Sequence, residues 1–109
     1  MVVTTLDVSG LTPEEYRAVL DEMGVERNPA PGLFLHMTAP IDDGFRITEI
    51  WDSKEGFEEF LVNRLVPAND ALNLDRHTEI TSRPLHNLFA PRVDELSQLA
   101  RHLPGAPRR

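Results

Sequence analysis

The sequence predicts an α+β fold with four strands and two main helices, in the order β-α-β-β-α-β. Three observations predict it: an alternating N-terminal run, two strand-like runs that meet at an Asp-Asp-Gly turn, and two amphipathic helical stripes that each follow an N-cap residue. A length of 109 residues with 40% apolar content fits one ordinary domain with a modest core. We therefore expect no second domain.

The first strand and the first helix lie in the N-terminal 24 residues. Residues 2–8 alternate in polarity and are rich in β-branched side chains, which is typical of a strand. Thr12 and Glu15 form a capping box around Pro13, which suits the first helical position. An apolar stripe with helical spacing follows before Gly24, at Tyr16, Val19, Leu20 and Met23. One amphipathic helix is predicted there.

The central hairpin comes from residues 33–51. A proline-rich loop at 28–32 precedes a strand over 33–39, and Asp42-Asp43-Gly44 supplies a turn into a second strand over 45–51. Because side chains alternate along a strand, four residues of the second strand share one face: Phe45, Ile47, Glu49 and Trp51. That face carries one carboxylate among apolar and aromatic neighbours.

The second helix begins at the N-cap Ser53 and carries an apolar stripe up to Pro67, which is expected to interrupt it. A short irregular helix is expected over 68–75. Residues 76–83 then give the last strand, which Pro84 closes. The stripe of the second helix consists of Phe57, Phe60, Leu61 and Leu65.

This element order is the split βαβ arrangement of a ferredoxin-like sandwich, here spanning residues 1–90 with both helices on one face of a four-stranded antiparallel sheet. The other face would be left open, so a homodimer is expected to cover it. An extra helix is predicted over 91–103, packed along the dimer or the sheet edge, or placed as a lid. Residues 104–109 are expected to be a disordered tail.

Composition excludes several function classes. The net charge of −7 disfavours nucleic-acid binding, which depends on clustered Lys and Arg, and the sequence has no cysteine for a disulfide or a thiolate. No stretch approaches the roughly 20 apolar residues of a membrane span, so we expect a soluble, cytoplasmic protein without membrane contact. Phosphate-binding loops, nucleotide fingerprints and a Gly-x-Ser-x-Gly elbow are all absent.

Glu49 is the first candidate catalytic residue. A carboxylate within an apolar wall is a candidate general acid or base, and one polar group among apolar walls is typical of a small-molecule pocket. The alternative is structural: Glu49 pairs with Arg17 or Arg64, or reaches solvent at the strand end.

Two histidines are further candidates. His36, between Leu35 and Met37, can act as a base near neutral pH, or it can be a hydrogen-bonded structural residue. His86 follows the last strand, where a segment could fold back over a pocket mouth or contact the partner subunit. His77 and His102 are expected on the surface. Their spacing does not suggest a metal site, so neither metal nor cofactor is predicted.

The hairpin and the segment after it resemble a known family. The runs 32–36, 43–47 and 49–57, with Trp51, Ser53 and Phe57 as anchors, resemble the dimeric α+β barrel superfamily near its antibiotic-biosynthesis-monooxygenase-like members. The resemblance covers residues 1–90 and implies a pocket between sheet and helices, lined by Trp51 and Phe57.

The resemblance also implies limits on the activity. The cofactor-free monooxygenases of this family oxidise aromatic polyketide phenols, using an Asn on the Trp strand and a Tyr on the following helix; here those positions are Ile47 and Phe57. Haem-degrading relatives use an Asn on the first strand and a His on the helix after the Trp. Residues 2–8 hold no Asn and residues 53–66 hold no His, so haem degradation is disfavoured.

Two hypotheses of function follow. The first is a homodimeric enzyme that binds an apolar or aromatic metabolite and performs cofactor-independent oxygenation or a proton transfer such as cyclisation or isomerisation. The second is a non-catalytic ligand-binding or stress-related homodimer, with no polar group converging on Trp51. The expected pocket wall consists of Trp51, Phe57, Tyr16, Ile47, and Phe34 or Leu35.

Overall fold

The computed structural model describes residues 1–107, and one four-stranded antiparallel sheet forms its centre. The strand order is β2-β3-β1-β4, which is the ferredoxin-like arrangement that the sequence predicts. The strands are β1 (Val2–Ser9), β2 (Leu33–Ile41), β3 (Gly44–Trp51) and β4 (Thr78–Pro84). The helices against one face are α1 (Pro13–Met23), α2 (Lys54–Phe60) and α3 (Val66–Ala71), with a π-helical turn at Leu61–Leu65 between the last two. The predicted α+β class is confirmed.

The start of α1 is the capping box read from the sequence. The Glu15 backbone N–H donates to Thr12 Oγ1 and the Thr12 N–H donates to Glu15 Oε1, both at 3.1 Å. Gly24 ends the helix in the left-handed region at φ 66°, which glycine adopts without a Cβ clash. These local bonds fix the two ends of α1, and its buried side chains then face the sheet.

The β2–β3 hairpin is longer than predicted. β2 continues through Pro40 to Ile41, and Asp42-Asp43 alone makes the turn. Pro40 is tolerated because β2 lies at the sheet edge, where a missing N–H leaves no ladder bond unmade. Gly44 follows at φ 112°, and a Cβ at that position would overlap the carbonyl oxygen of Val8. Only glycine fits this crossing of hairpin and β1.

The strand register confirms which residues share a face. β3 pairs with β1 so that Glu49 lies opposite Thr4 and Ile47 opposite Leu6. The same face carries the helices and the core, which the predicted alternation of β1 and β3 requires. The core cluster there consists of Leu6, Val8, Leu11, Ala30, Trp51, Phe57 and Phe60.

The chain does not leave the helical path at Pro67, contrary to the prediction. A π-helical turn precedes α3, and the Val66 N–H donates to Leu61 O, five residues back. Pro67 is the second residue of α3 and directly follows this widened turn. The widened turn therefore lets one helical segment run from α2 into α3.

The segment after β4, residues 85–107, differs from the predicted long helix. It contains a 3₁₀ turn at Val93–Glu95 and a five-residue helix, α4 (Leu96–Ala100), and Arg92 pairs with Glu95. Several large apolar side chains of this segment are exposed: Leu88, Phe89, Val93, Leu96, Leu99 and Leu103. The last two residues of the predicted disordered tail, Arg108 and Arg109, lie outside the described residues.

Across residues 1–107, none of the helices combines the length and the apolar character that a membrane crossing needs.

Candidate functional site

A cavity of about 320 Å³ lies between the helix-bearing face of the sheet and helices α1 to α3. Its wall is mostly aliphatic and is supplied by α1, the inner residues of β1 and the π-helical turn. The polar atoms at the β2–β3 end belong to Tyr16, His36 and Glu49. A few polar groups converging in an apolar cavity are the usual form of a small-molecule site.

Glu49 and His36 form a hydrogen-bonded pair in which the Glu49 side chain is buried and the His36 side chain is 27% exposed. They lie opposite each other in the β2–β3 register, and His36 Nδ1 lies 2.7 Å from Glu49 Oε2. The other carboxylate oxygen, Oε1, accepts a hydrogen bond from Trp51 Nε1 at 3.1 Å. Glu49 is only 4% exposed and Trp51 is fully buried. The structural alternative of an arginine partner for Glu49 is therefore wrong, since the partners are an imidazole and an indole.

The other imidazole nitrogen of His36 meets two hydroxyl groups. Tyr16 Oη lies 2.7 Å from His36 Nε2, and Thr38 Oγ1 lies 3.1 Å from the same nitrogen. Thr38 Oγ1 also donates to Tyr16 Oη at 2.9 Å. Three polar atoms from β2 and α1 therefore form a closed triangle beside the cavity.

The bonding partners assign the protons. The indole N–H of Trp51 can only donate, and an ionised Glu49 can only accept, so the carboxylate accepts from both Trp51 and His36 Nδ1–H. In its neutral form, the imidazole then has its free lone pair at Nε2, which can accept a hydrogen bond from the Tyr16 hydroxyl. Glu49 fixes the tautomer and the orientation of His36, while Nε2 remains the basic atom.

The Tyr16 ring packs against two other aromatic rings. It stacks on His36 with ring centroids 6.1 Å apart and on Phe45 with centroids 6.0 Å apart. Burial raises the pKa of the Tyr16 phenol, and the hydrogen bond from Thr38 offsets part of that rise. The phenol is therefore a neutral proton donor throughout the physiological range.

A bulge near the start of β2 decides which side chains reach this site. The register shifts between Leu33 and Leu35, so Leu33 pairs with Trp51 on the cavity face and Leu35 with Ile50 on the opposite face. Phe34, expected in the pocket wall, lies at the bulge with 60% of its surface exposed and does not line the cavity. Leu33 lines the cavity at this position.

The remaining predicted site residues divide into two groups. Ile47 lines the cavity, whereas Trp51 and Phe57 lie behind the wall as packed aromatic support, with their rings in an edge-to-face contact at 5.8 Å. His86, expected near a pocket mouth, is exposed in the segment after β4 and does not line the cavity. His86 is therefore not part of the site formed by His36 and Glu49.

Thr38 and the contact between its hydroxyl and that of Tyr16 are not among the features that the sequence predicts. A signal was present, because Thr38 follows His36 by two residues and so shares its strand face. The role of Tyr16 could not be read in this way, since it depends on how α1 crosses the sheet. Arg17, beside Tyr16, pairs with Glu26 at 2.6 Å and not with Glu49.

The arrangement can perform a proton transfer. An imidazole that lines a largely apolar cavity and is oriented by a carboxylate is a candidate general base. Among residues 1–107, His, Asp and Glu side chains form no cluster of three or more that could hold a metal ion. The cavity, the base and a neutral phenol are what these residues offer a ligand.

Comparison with known proteins gives matches to solved structures, while no protein-family model and no curated protein matches the sequence. A candidate antibiotic biosynthesis monooxygenase from Deinococcus radiodurans is 22% identical with a TM-score of 0.63, and the match covers 83% of this chain and 97% of that one. SnoaB, a cofactor-independent oxygenase from Streptomyces nogalater, is 19% identical with a TM-score of 0.56, over 80% and 92% of the two chains.

A third structure gives the same result. A candidate antibiotic biosynthesis monooxygenase from Chloroflexus aurantiacus is 19% identical with a TM-score of 0.55, and the match covers 82% of this chain and 98% of that one. At such identities the likeness concerns the fold, and it spans nearly the whole of each neighbour. The chain therefore has the ferredoxin-like α+β fold of the antibiotic-biosynthesis-monooxygenase-like proteins, the superfamily that its sequence resembles.

Proposed function

We propose that this chain is a cytoplasmic small-molecule enzyme in which His36 removes a proton from an apolar or aromatic substrate held in the cavity. The observation that carries the proposal is the placement of His36: its Nδ1 is held by the buried Glu49, and its side chain lines the cavity. A base fixed in this way loses little orientational freedom when substrate binds. Glu49 acts as the positioning residue and His36 as the catalytic one.

Two reactions follow from removal of a proton. An electron-rich phenol that becomes a phenolate can give an electron to O₂ directly, so oxygenation would need no cofactor from the protein. A carbon acid that becomes an enolate can instead return the proton elsewhere, giving isomerisation or cyclisation. The similarity in fold to SnoaB, a cofactor-independent oxygenase, supports the first reaction.

A panel of probes tests the proposal. Oxygen uptake with hydroxylated naphthalenes and anthrones, and hydrogen–deuterium exchange of ketones in D₂O, report the two reactions. We expect His36→Gln to lose about 100-fold or more of any rate that the wild type shows. His77→Gln is the matched control, because that side chain is 72% exposed and does not line the cavity. His86→Gln should behave like the control. Equal rates in wild type and His36→Gln would refute the proposal.

The second candidate function is a non-catalytic ligand-binding protein. The closed hydrogen bonds around His36 favour it, because every polar atom of the imidazole already has a partner. This candidate requires 1-naphthol to bind wild type and His36→Gln without turnover in either. A measured turnover that depends on His36 would eliminate it.

We also propose that the protein is a homodimer in which a second copy covers the helix-free face of the sheet. Met37 on that face is 51% exposed and Leu35 is half-buried beside it, which is an unusual surface for an isolated chain. Sedimentation velocity should give twice the chain mass of 12.3 kDa. Met37→Lys should shift the equilibrium to monomer, whereas Val62→Lys, an exposed apolar residue of the helical layer, should not. A monomeric wild type at high concentration would contradict the dimer.

A further inference from the structure

We propose that Tyr16 is the acid partner of His36, and that the site therefore acts on ketones with an acidic neighbouring C–H group, which it enolises. The proposal rests on the proposed function, because it assigns a second catalytic residue and a substrate class to the same cavity. Its basis is the triangle formed by Tyr16 Oη, His36 Nε2 and Thr38 Oγ1, in which the three atoms lie 2.7 to 3.1 Å apart.

The triangle contains two donors and one basic atom. Thr38 donates to the Tyr16 oxygen, and Tyr16 in turn donates to His36 Nε2. A substrate carbonyl beside Tyr16 can therefore receive the phenol proton after rotation of the O–H bond alone, while Thr38 keeps its own hydrogen bond. The same rotation frees the lone pair of Nε2. One movement of one proton exposes both an acid and a base.

The step balances in atoms and charge. His36 Nε2 takes the proton from the carbon beside the carbonyl, so a C–H bond breaks and an N–H bond forms. The electron pair moves to the carbonyl oxygen, which takes the Tyr16 proton and becomes an enol hydroxyl. The imidazolium faces the Glu49 carboxylate, and the tyrosinate oxygen accepts from Thr38. Return of both protons, with carbon protonated at the same or a conjugated position, restores the side chains.

The surroundings fit a neutral ketone better than an anion. The chain carries a net charge of −7, and Glu49 adds a buried carboxylate at this end of the cavity. Arg76, the arginine among the residues that line the cavity, is paired with Glu15. Arg17, beside Tyr16, is paired with Glu26 and Asp21. A carbonyl compound enters without charge, and charge develops only between groups that are already placed to balance it.

The test uses 2-tetralone, a bicyclic ketone with an acidic C–H next to the carbonyl. Exchange of that hydrogen in D₂O is followed by proton NMR against a protein-free control. We expect wild type to accelerate exchange, and Tyr16→Phe to lose about 100-fold in kcat with KM changed less than about threefold. Thr38→Val should lose about tenfold or less, since it removes one neutral hydrogen bond. Thr48→Val, on β3 and on the opposite sheet face, is the matched control.

The outcomes separate the two proposals. If Tyr16→Phe exchanges at the wild-type rate while His36→Gln is inactive, the acid role of Tyr16 is refuted and the base role of His36 stands. If wild type oxidises phenols but does not accelerate exchange of 2-tetralone, the ketone assignment is refuted and the proposed function again stands. If His36→Gln exchanges as fast as wild type, both proposals fail.

A second measurement holds even where turnover is slow. 2-Naphthol carries an enol-like hydroxyl in the place of the reacting oxygen and should inhibit exchange competitively. Tyr16→Phe should bind 2-naphthol at least about tenfold more weakly, because the variant lacks the hydroxyl that would donate a hydrogen bond to the 2-naphthol oxygen. Equal binding by both proteins, with their thermal unfolding matched, would overturn the assignment.

Discussion

The β2–β3 hairpin and the segment after β4 differ in which side chains they bury: the hairpin buries polar groups, whereas the segment after β4 exposes apolar ones. In the hairpin, a buried carboxylate meets a partly buried imidazole, and each of their polar atoms has a partner from the hairpin or from α1. In residues 85–107, large apolar side chains face outward, and Phe89 is 84% exposed. Burying a charge is costly unless it is fully hydrogen-bonded, so the hairpin network is the more demanding arrangement to maintain. The network lowers stability and brings no evident packing benefit, which is why we propose a functional site there.

The largest effect should come from the hairpin glycine. Gly44→Ala places a Cβ against the carbonyl oxygen of Val8 at a φ of 112°, so we expect a loss of about 3 kcal/mol in the free energy of unfolding. Gly105→Ala is the matched change in the C-terminal segment, where the new Cβ would lie at an ordinary 3.6 Å from the Tyr16 ring. Urea unfolding monitored by Trp51 fluorescence gives both values. Similar losses in the free energy of unfolding for the two variants would contradict the difference expected between the hairpin and the C-terminal segment.

The next effect tests the buried carboxylate. Glu49→Gln keeps the shape but offers one acceptor oxygen to two N–H donors, from His36 and Trp51. We expect a loss of about 2 kcal/mol, the usual cost of leaving a buried donor unpaired. Glu59→Gln, on the exposed side of α2, should change the free energy of unfolding by less than about 0.5 kcal/mol. If Glu49→Gln left the free energy of unfolding unchanged, water would be replacing the carboxylate at no cost in stability.

The third effect is a shift in the titration of Tyr16, the only tyrosine in the sequence. Burial raises its pKa, so the folded protein keeps the phenol proton at a pH where the unfolded chain, with a pKa of about 10, has lost it. The contribution of Tyr16 to the free energy of unfolding should therefore be fully present below pH 10, and it should be lost as the pH rises towards the pKa of Tyr16 in the folded protein. Absorbance at 295 nm reports the ionisation. The alkaline decline should be reduced in Tyr16→Phe; an unchanged decline would assign it to other groups.

The smallest effect should come from removal of residues 92–109. Their apolar side chains are mostly exposed in the single chain, so their deletion should cost less than about 1 kcal/mol. The truncated protein should keep its Trp51 fluorescence, whereas its 2-naphthol affinity reports the loss of Gly105 from beside the Tyr16 ring. A loss of several kcal/mol that depends on protein concentration would instead place this segment in a subunit interface.

Local patterns were sufficient for much of the fold. The capping box at Thr12, the Asp-Asp-Gly turn and the alternation along β1 and β3 each depend on neighbours in sequence, and the structure contains all three. The errors lie where context overrides local preference. Pro67 was expected to interrupt the helix, but a π-helical turn admits it, and residues 91–103 form only short helical turns.

The candidate site was only partly predictable. Strand parity identified Glu49 as a polar group on the core face, and His36 was singled out for its chemistry, but their contact required the β2–β3 register. A one-residue slip would have moved His36 to the opposite face, and the bulge at Leu33–Leu35 is what excludes Phe34. Such a bulge adds one residue without a distinct sequence signature.

The sequence by itself determined the elements, their order and the face of β3 that carries Glu49 and Trp51, because these follow from periodicity and capping over a few residues. Only the tertiary structure decided that Tyr16 on α1 meets His36 and Thr38 on β2, across 20 and 22 residues of chain. That contact depends on the angle and height at which α1 packs on the sheet. Packing of the whole core sets both quantities, and no local pattern encodes them.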